Sequence, residues 1–527
     1  MSGLNGTGAL LRLALRLDRV RLSIWVLLLG VMPAGTAAQY LKLYPDAESL
    51  QAVKGVLSNP SLVALNGPLF AVSLGGLTAW KIGATEFILV GLMSVFTVVR
   101  HTRTEEETGR QELVNAGVVG RYAPLTAALL TVALANLAIA ALVVLGLIGV
   151  GLAAGGAVGL GVAIAMTGLV FAAVAAVSAQ VTGSARAATG IGVSVLGTAY
   201  LLRAVGDSGP IWLTWASPIG WAMRLRPFAG EQWWVPALSL GLTVVLLVVA
   251  SVLLSRRDTG AGLITQRPGP AEAGPGLRSP FALAWRLQRG VLLGWVVAMA
   301  ISGAVLGGAA NGLASATGLS EQMAEVLARM GGTAGLADAF LAACFGIMGF
   351  VSSAYTVQAT LRLRTEETAG RAEPLLATPV GRTSWVLSHV VFAWFGTALV
   401  LAAAGVGAGL SYGGQVGDVG GQLGRALGAS LAQLPAAWVL AGFGLALFGL
   451  APRLAGLTWG ALIAFAVVFE LGALFGLSQW TVDISPFSHV PKLPGAAFTA
   501  TPLVWLAAIG VVLATAGLAG FRRRNIG

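Results

Sequence analysis

Charge is scarce in this sequence: Asp, Glu, Lys and Arg make up 10% of its 527 residues, while 56% are hydrophobic. A water-soluble fold of that composition cannot hide its apolar surface and still keep a polar exterior, so lipid has to be part of the solvent. Cysteine is nearly missing, and Cys344 standing alone excludes an intrachain disulfide framework. His101, His389 and His489 lie on different segments without neighbouring ligand residues, which argues against a metal site. Lysine is confined to Lys42, Lys54, Lys81 and Lys492. None of them stands in a Gly-x-x-x-x-Gly-Lys-Ser/Thr run, whose backbone amides and lysine hold nucleotide phosphates. No catalytic residue, cofactor or metal is therefore expected on this chain.

What the chain has in their place is long apolar runs. Twelve are legible, near residues 22–41, 82–99, 125–150, 157–180, 189–205, 235–254, 290–309, 339–360, 385–410, 427–450, 457–475 and 503–520. Each offers roughly the 18 residues a helix needs to cross about 30 Å of hydrocarbon. They are continuously apolar instead of alternating, which predicts helices and not a barrel. The expected fold is an all-α polytopic membrane protein with twelve transmembrane helices.

A net charge of +11 would suit nucleic acid, but the basic residues are distributed otherwise. Arg12, Arg16, Arg19 and Arg21, then Arg256 and Arg257, then Arg522 to Arg524 gather at helix ends on one side, with all four lysines on the other. That bias predicts a multi-pass protein of the cell membrane with both termini cytoplasmic, and no nucleic-acid partner. Arg12, Arg16 and Arg19 are spaced to share one helical face opposite leucines, which suggests an amphipathic helix at the inner interface. The start also imitates a signal peptide, yet the pattern Leu11 to Arg19 recurs at Phe281 to Arg289, so no cleavage is expected.

That recurrence is one of three internal echoes. Arg103-Thr-Glu-Glu-Glu-Thr-Gly-Arg-Gln-Glu112 matches Arg364-Thr-Glu-Glu-Thr-Ala-Gly-Arg-Ala-Glu373, and through Arg121 and Arg382 the two stretches are identical at 11 of 19 positions. Ser217-Pro218 matches Ser485-Pro486 before the last run of each half. Separations of 270, 261 and 268 residues predict a duplicated six-helix unit. An even number of crossings makes the halves parallel repeats about a pseudo-twofold axis. The expected organisation is a first membrane half at 1–254, a Pro/Gly-rich cytoplasmic linker at 255–280 and a second half at 281–527.

The paired loops keep Arg103, Glu105, Glu106, Gly109, Arg110, Glu112 and Arg121 in register with Arg364, Glu366, Glu367, Gly370, Arg371, Glu373 and Arg382. A solvated spacer needs no such order; a surface that docks against two like sites does. The run Glu367-Thr-Ala-Gly-Arg-Ala-Glu373-Pro-Leu-Leu-Ala-Thr-Pro379-Val-Gly-Arg382 resembles the cytoplasmic-loop signature of type-two ATP-binding-cassette (ABC) export permeases. The long duplicated form resembles actinobacterial multidrug and polyketide-antibiotic export permeases. The resemblance implies an export permease for lipophilic compounds. It also implies two copies of a separate cytoplasmic ATP-binding-cassette ATPase, which would hold ATP and magnesium, with Glu105, Glu106, Glu366 and Glu367 pressing on them. The first loop departs from the signature, with Val114 to Val118 where the second has Leu375 to Pro379.

Outside, an amphipathic stretch at 321–330 reads as a capped short helix, with a weaker version at 46–57. Before each last crossing, an aromatic or Pro-broken stretch around Ser217, Pro218, Ser485 and Pro486 reads as an interfacial belt or as an outer hairpin. Charges inside the runs are Glu86, Arg203 and Glu470. Lys81 offers Glu86 a local partner. Arg203 and Glu470 stand at nearly equivalent depths with opposite sign, so they are expected to meet between the halves. Glu86 and Glu470 also leave an alternative open, a twelve-helix secondary transporter coupled to protons.

Overall fold

The computed structural model describes residues 3–44, 49–51, 60–115, 117, 119–257, 262–264, 272, 274–314, 335–471 and 479–525. Among these there is no strand; the one bridge pairs Thr182 with Ile264. The chain divides into two compact units, residues 1–268 and 269–527.

In the first unit, α1 (Thr7–Leu17) leads into α2 (Arg19–Leu43), followed by α3 (Leu74–Val99), α4 (Ala123–Gly149), α5 (Ala154–Val181), α6 (Ala185–Ser208) and α7 (Pro236–Arg256). The most enclosed spans are those of α3 and α5, each 72% buried, against 17% for α7. The difference follows composition. Small residues such as Ala172, Ala173, Ala175 and Ala176 let α5 be surrounded, whereas Leu240, Val244, Val245 and Val248 of α7 face outward where lipid is the solvent.

The second unit comprises α8 (Pro280–Ala314), α9 (Leu336–Thr368), α10 (Arg382–Val416), α11 (Val419–Leu431), α12 (Leu434–Leu450), α13 (Leu457–Leu471) and α14 (Ala500–Arg523). Across the described residues, 11 helices are long and apolar enough to cross a membrane, at eleven of the twelve predicted runs. The remaining run, 457–475, begins as the 15-residue α13 and continues outside the described residues. The stretch expected as a short helix at 321–330 lies outside them too, as does most of 46–57.

Two expectations about the helix approaches need correction. The amphipathic helix stops at Leu17, so Arg19 opens α2 and does not share the α1 face. The cause is Asp18, whose buried carboxylate forms an ion pair with Arg100, Nε to Oδ1 at 3.0 Å, and meets His101 Nε2 at 2.7 Å, pinning a corner in the chain. Its counterpart in the second half is the neutral Gln288, which meets His389 Nδ1 at 3.2 Å. No corner forms there, and α8 runs unbroken through both the approach and the crossing. The linker is also partly docked: Leu263 N and Ile264 N donate to Gln180 O and Val181 O at 3.3 and 3.0 Å. They satisfy carbonyls that the end of α5 would otherwise leave open.

Packing in the second unit relies on glycine where α12 meets α14. A Cβ on Gly449 would overlap the carbonyl of Gly517, and one on Gly442 that of Gly510, so the two backbones touch directly. Gly449→Ala is therefore expected to cost about 1–3 kcal/mol by overpacking. Gly460→Ala, where nothing stands within 4 Å, serves as the neutral control. Equal thermal midpoints for the two variants in detergent would show that this contact does not support the fold.

Candidate functional site

The paired charged loops are not solvated spacers in either unit. In the first, the backbone leaves α3 through a π-helical turn, Arg100–Thr104, which brings the Arg103 side chain into the interior. Arg103 Nε donates to Thr182 O at 2.6 Å, and its Nη1 pairs with Glu106. Glu106 also receives the fork of Arg257, at 2.8 Å from Nη1 and 2.5 Å from Nη2, while Arg257 Nε donates to Gln180 Oε1 at 2.7 Å. One carboxylate thus binds the loop to the end of α7 through a two-pronged, charge-assisted contact. Both partners are nearly enclosed, with side-chain exposures of 3% and 4%.

The second unit builds the same clasp from its own residues. Glu367 takes Arg364 Nη1 at 3.1 Å, and Arg524, just past α14, at 2.7 Å from Nη1 and 2.9 Å from Nη2. The Arg524 guanidinium lies over the rings of Phe448 and Phe521, 4.9 and 5.1 Å from their centroids, adding cation–π attraction. A second guanidinium secures the last helix in each unit. Arg121 Nη2 donates to Leu254 O and Arg257 O at 2.8 and 2.6 Å, and Arg382 Nη1 to Arg522 O and Arg524 O at 3.1 and 2.9 Å. These carbonyls have no partner within their helix and need a donor.

Other members of the motif frame the turn. Glu366 binds Arg371 Nε at 2.6 Å and Arg362 Nη2 at 2.7 Å; its carboxylate raises the Arg371 pKa above the ordinary arginine value. The matching pair in the first loop, Glu105 and Arg110, is looser at 3.4 Å and more exposed, so it contributes little. Glu107 Oε2 accepts from Ala185 N at 2.9 Å, placing negative charge at the start of α6, where the helix dipole favours it. Gly109 and Gly370 recur because both adopt positive φ, 72° and 67°, a region costly for residues with a Cβ.

Glu106 and Glu367, expected to face a partner, pair inward with Arg257 and Arg524, while Glu366 pairs with Arg362 and the exposed Arg371 at the edge of the loop. The geometry also supplies residues that sequence reading missed, Arg257 and Arg524 above all. Their signal was present, since each follows the last helix of its half, but there they read only as topology charges. The faces left exposed are Arg110 and Glu112 in the first loop, and Gly370, Glu373, Pro374, Thr378 and Pro379 in the second.

Away from the loops, the Lys81–Glu86 pair is not made. Five positions put the two on different helix faces, and both buried Glu86 oxygens lack a hydrogen-bond partner. Arg203 pairs with Asp207, one turn along its own helix, at 3.6 Å; the expected meeting of Arg203 with Glu470 falls on a side chain outside the described residues. Ser217 caps the short helix Pro218–Arg224, accepting from Gly220 N at 3.3 Å and donating to Ala199 O at 2.6 Å. Ser485, at the matching place before Pro486–His489, makes no side-chain cap; its carbonyl accepts from Ser488 Oγ at 2.6 Å.

The clasp predicts an order of mutational effects. Glu106→Gln and Glu367→Gln each leave enclosed arginines uncompensated and are expected to cost about 3–5 kcal/mol. Glu105→Gln, at a loose exposed pair, is expected to stay below about 1 kcal/mol. Thermal unfolding of the three variants checks this; a Glu105 effect as large as that at Glu106 would contradict the assignment.

Residues 277–522 match a family model described as "Multidrug efflux system permease Rv1217c, C-terminal domain". Over its full length the chain is 47% identical, across 528 aligned positions, to the multidrug efflux system permease protein Rv1217c of Mycobacterium tuberculosis, covering 96% of that protein. The match extends through both loops and both clasping arginines, and with the all-helical, many-span architecture it places this chain in the family of multidrug efflux permeases of ABC exporters.

Proposed function

We propose that the chain is the membrane-spanning permease subunit of an ATP-binding-cassette exporter that moves lipophilic compounds out of the cell. Hydrolysis belongs to a separate ATPase, two copies of it, one under each loop, which hold ATP and magnesium; both termini face the cytoplasm on that side. The observation that carries this reading is the clasp itself. A loop tied to the end of the last helix by Glu106–Arg257 or Glu367–Arg524 cannot absorb a push from below. It passes the displacement into the transmembrane helices. Gly370, Glu373, Thr378 and Pro379 in the second loop, and Gly109, Arg110 and Glu112 in the first, supply the docking face. Arg103, Glu105, Glu106, Arg121, Arg364, Glu366, Glu367, Arg371 and Arg382 form the frame beneath it. Family membership does not favour the proton-coupled alternative.

Two measurements test the proposal. The purified chain is expected to release no phosphate from ATP by itself and to support drug-stimulated release once its ATPase is added; turnover by the chain alone would overturn the division of labour. Glu373→Lys is expected to weaken ATPase co-purification several-fold with the thermal midpoint of the chain unchanged, as for a charge at the rim of an interface. Native association with this variant and with Pro379→Gly would mean that the ATPase docks elsewhere.

A further inference from the structure

A second concentration of charge lies in the first unit, at the end away from its loop. Arg203 belongs to α6, Arg224 closes the short helix Pro218–Arg224, and Arg226 follows with φ 54°. Among the described residues, Asp207 is the carboxylate that pairs with any of them, 3.6 Å from Arg203 Nη1 and 3.0 Å from Arg224 Nη2. Thr214 Oγ1 also donates to Asp207 Oδ1, at 2.9 Å. The nearby Glu231 accepts from Phe228 N at 3.1 Å. Two guanidinium groups thus converge on one carboxylate, the side chains of Arg203 and Asp207 being 0% exposed, and Arg226 stands beside Arg224 against the same Phe70 ring.

The donors are not all used. Arg203 Nη2 reaches Leu65 O at 2.9 Å and Nη1 faces Asp207 Oδ2 at 3.6 Å, but Arg203 Nε, Arg224 Nε and Arg226 Nε are buried and have no hydrogen-bond partner. Buried donors are nearly always satisfied, so a cluster of orphans is itself a signal of something that completes them. The guanidinium groups are held in place by rings: Arg203 over Tyr200 at 4.5 Å, and Arg224 and Arg226 over Phe70 at 5.4 and 5.1 Å. Phe70 also lines a small adjoining cavity with Asn66, Trp80, Phe87, Met223 and Pro227.

We propose that this cluster is an anion site for a phosphate-type oxyanion. Forked guanidinium donors match the geometry of such an oxyanion, which supplies the missing negative charge and several acceptors at once. A lipid headgroup and free phosphate share that chemistry.

The test uses the full chain with two probes, inorganic phosphate in detergent against chloride at equal ionic strength, and nanodiscs of phosphatidylcholine with or without phosphatidylglycerol. The wild type is expected to gain about 2 °C or more in thermal midpoint from an occupying anion, and the half-buried Arg226→Gln variant to lose most of that gain. A gain from phosphatidylglycerol alone assigns the site to a headgroup; a gain from inorganic phosphate assigns it to a free oxyanion. Should Arg226→Gln not fold, Arg226→Lys keeps the charge, removes the fork and is expected to reduce the gain. No gain in the wild type from either probe, or an equal gain in the variant, overturns the proposal.

Discussion

Everything at the loop end of each unit depends on one buried carboxylate gripped by an arginine from beyond the last helix. Ion pairs at a water-facing surface contribute little because solvent screens them and the side chains lose freedom in forming them. Glu106 with Arg257 and Glu367 with Arg524 escape that discount through enclosure and two-pronged geometry. Once the pair is buried, leaving either member alone is far more costly than making the pair. The loop, the end of the last helix and the arginine on the first turn of the loop therefore move together or not at all.

The two units reach this state by different local routes. The first needs a π-helical turn at Arg100–Thr104 to bring Arg103 inward, and it recruits Gln180, Thr182 and a piece of the linker. A π turn inserts an extra residue into the helical register and commonly marks a working position. In the second unit α9 continues as regular helix to Thr368, and two aromatic rings replace the polar contacts beneath Arg524. The loop with the fuller Leu-Leu-Ala-Thr-Pro turn also has the stronger framing pair, Glu366 with Arg371, whereas Glu105 and Arg110 barely touch.

Charges deeper in the helices obey the same economy differently. Arg203 finds Asp207 on its own helix, with one turn of spacing guaranteeing proximity whatever the rest of the fold does. Glu86 has no such neighbour, and its enclosed oxygens accept nothing.

Hydropathy, charge bias and the 261-residue echo were sufficient to read the membrane class, eleven of the described spans and the loops that carry the ordered charges. Those are local properties: the length of an apolar run is set by bilayer thickness, and a duplicated motif is visible without knowing what it touches. The direction in which Glu106 and Glu367 face was not legible, because it depends on helix ends that meet them from about 150 residues away, Arg257 with Glu106 and Arg524 with Glu367. Nor was the corner at Asp18 that Gln288 does not make. Composition states how many charges must be satisfied; only packing decides which partner comes within about 3 Å, the distance at which a buried ion pair or hydrogen bond forms.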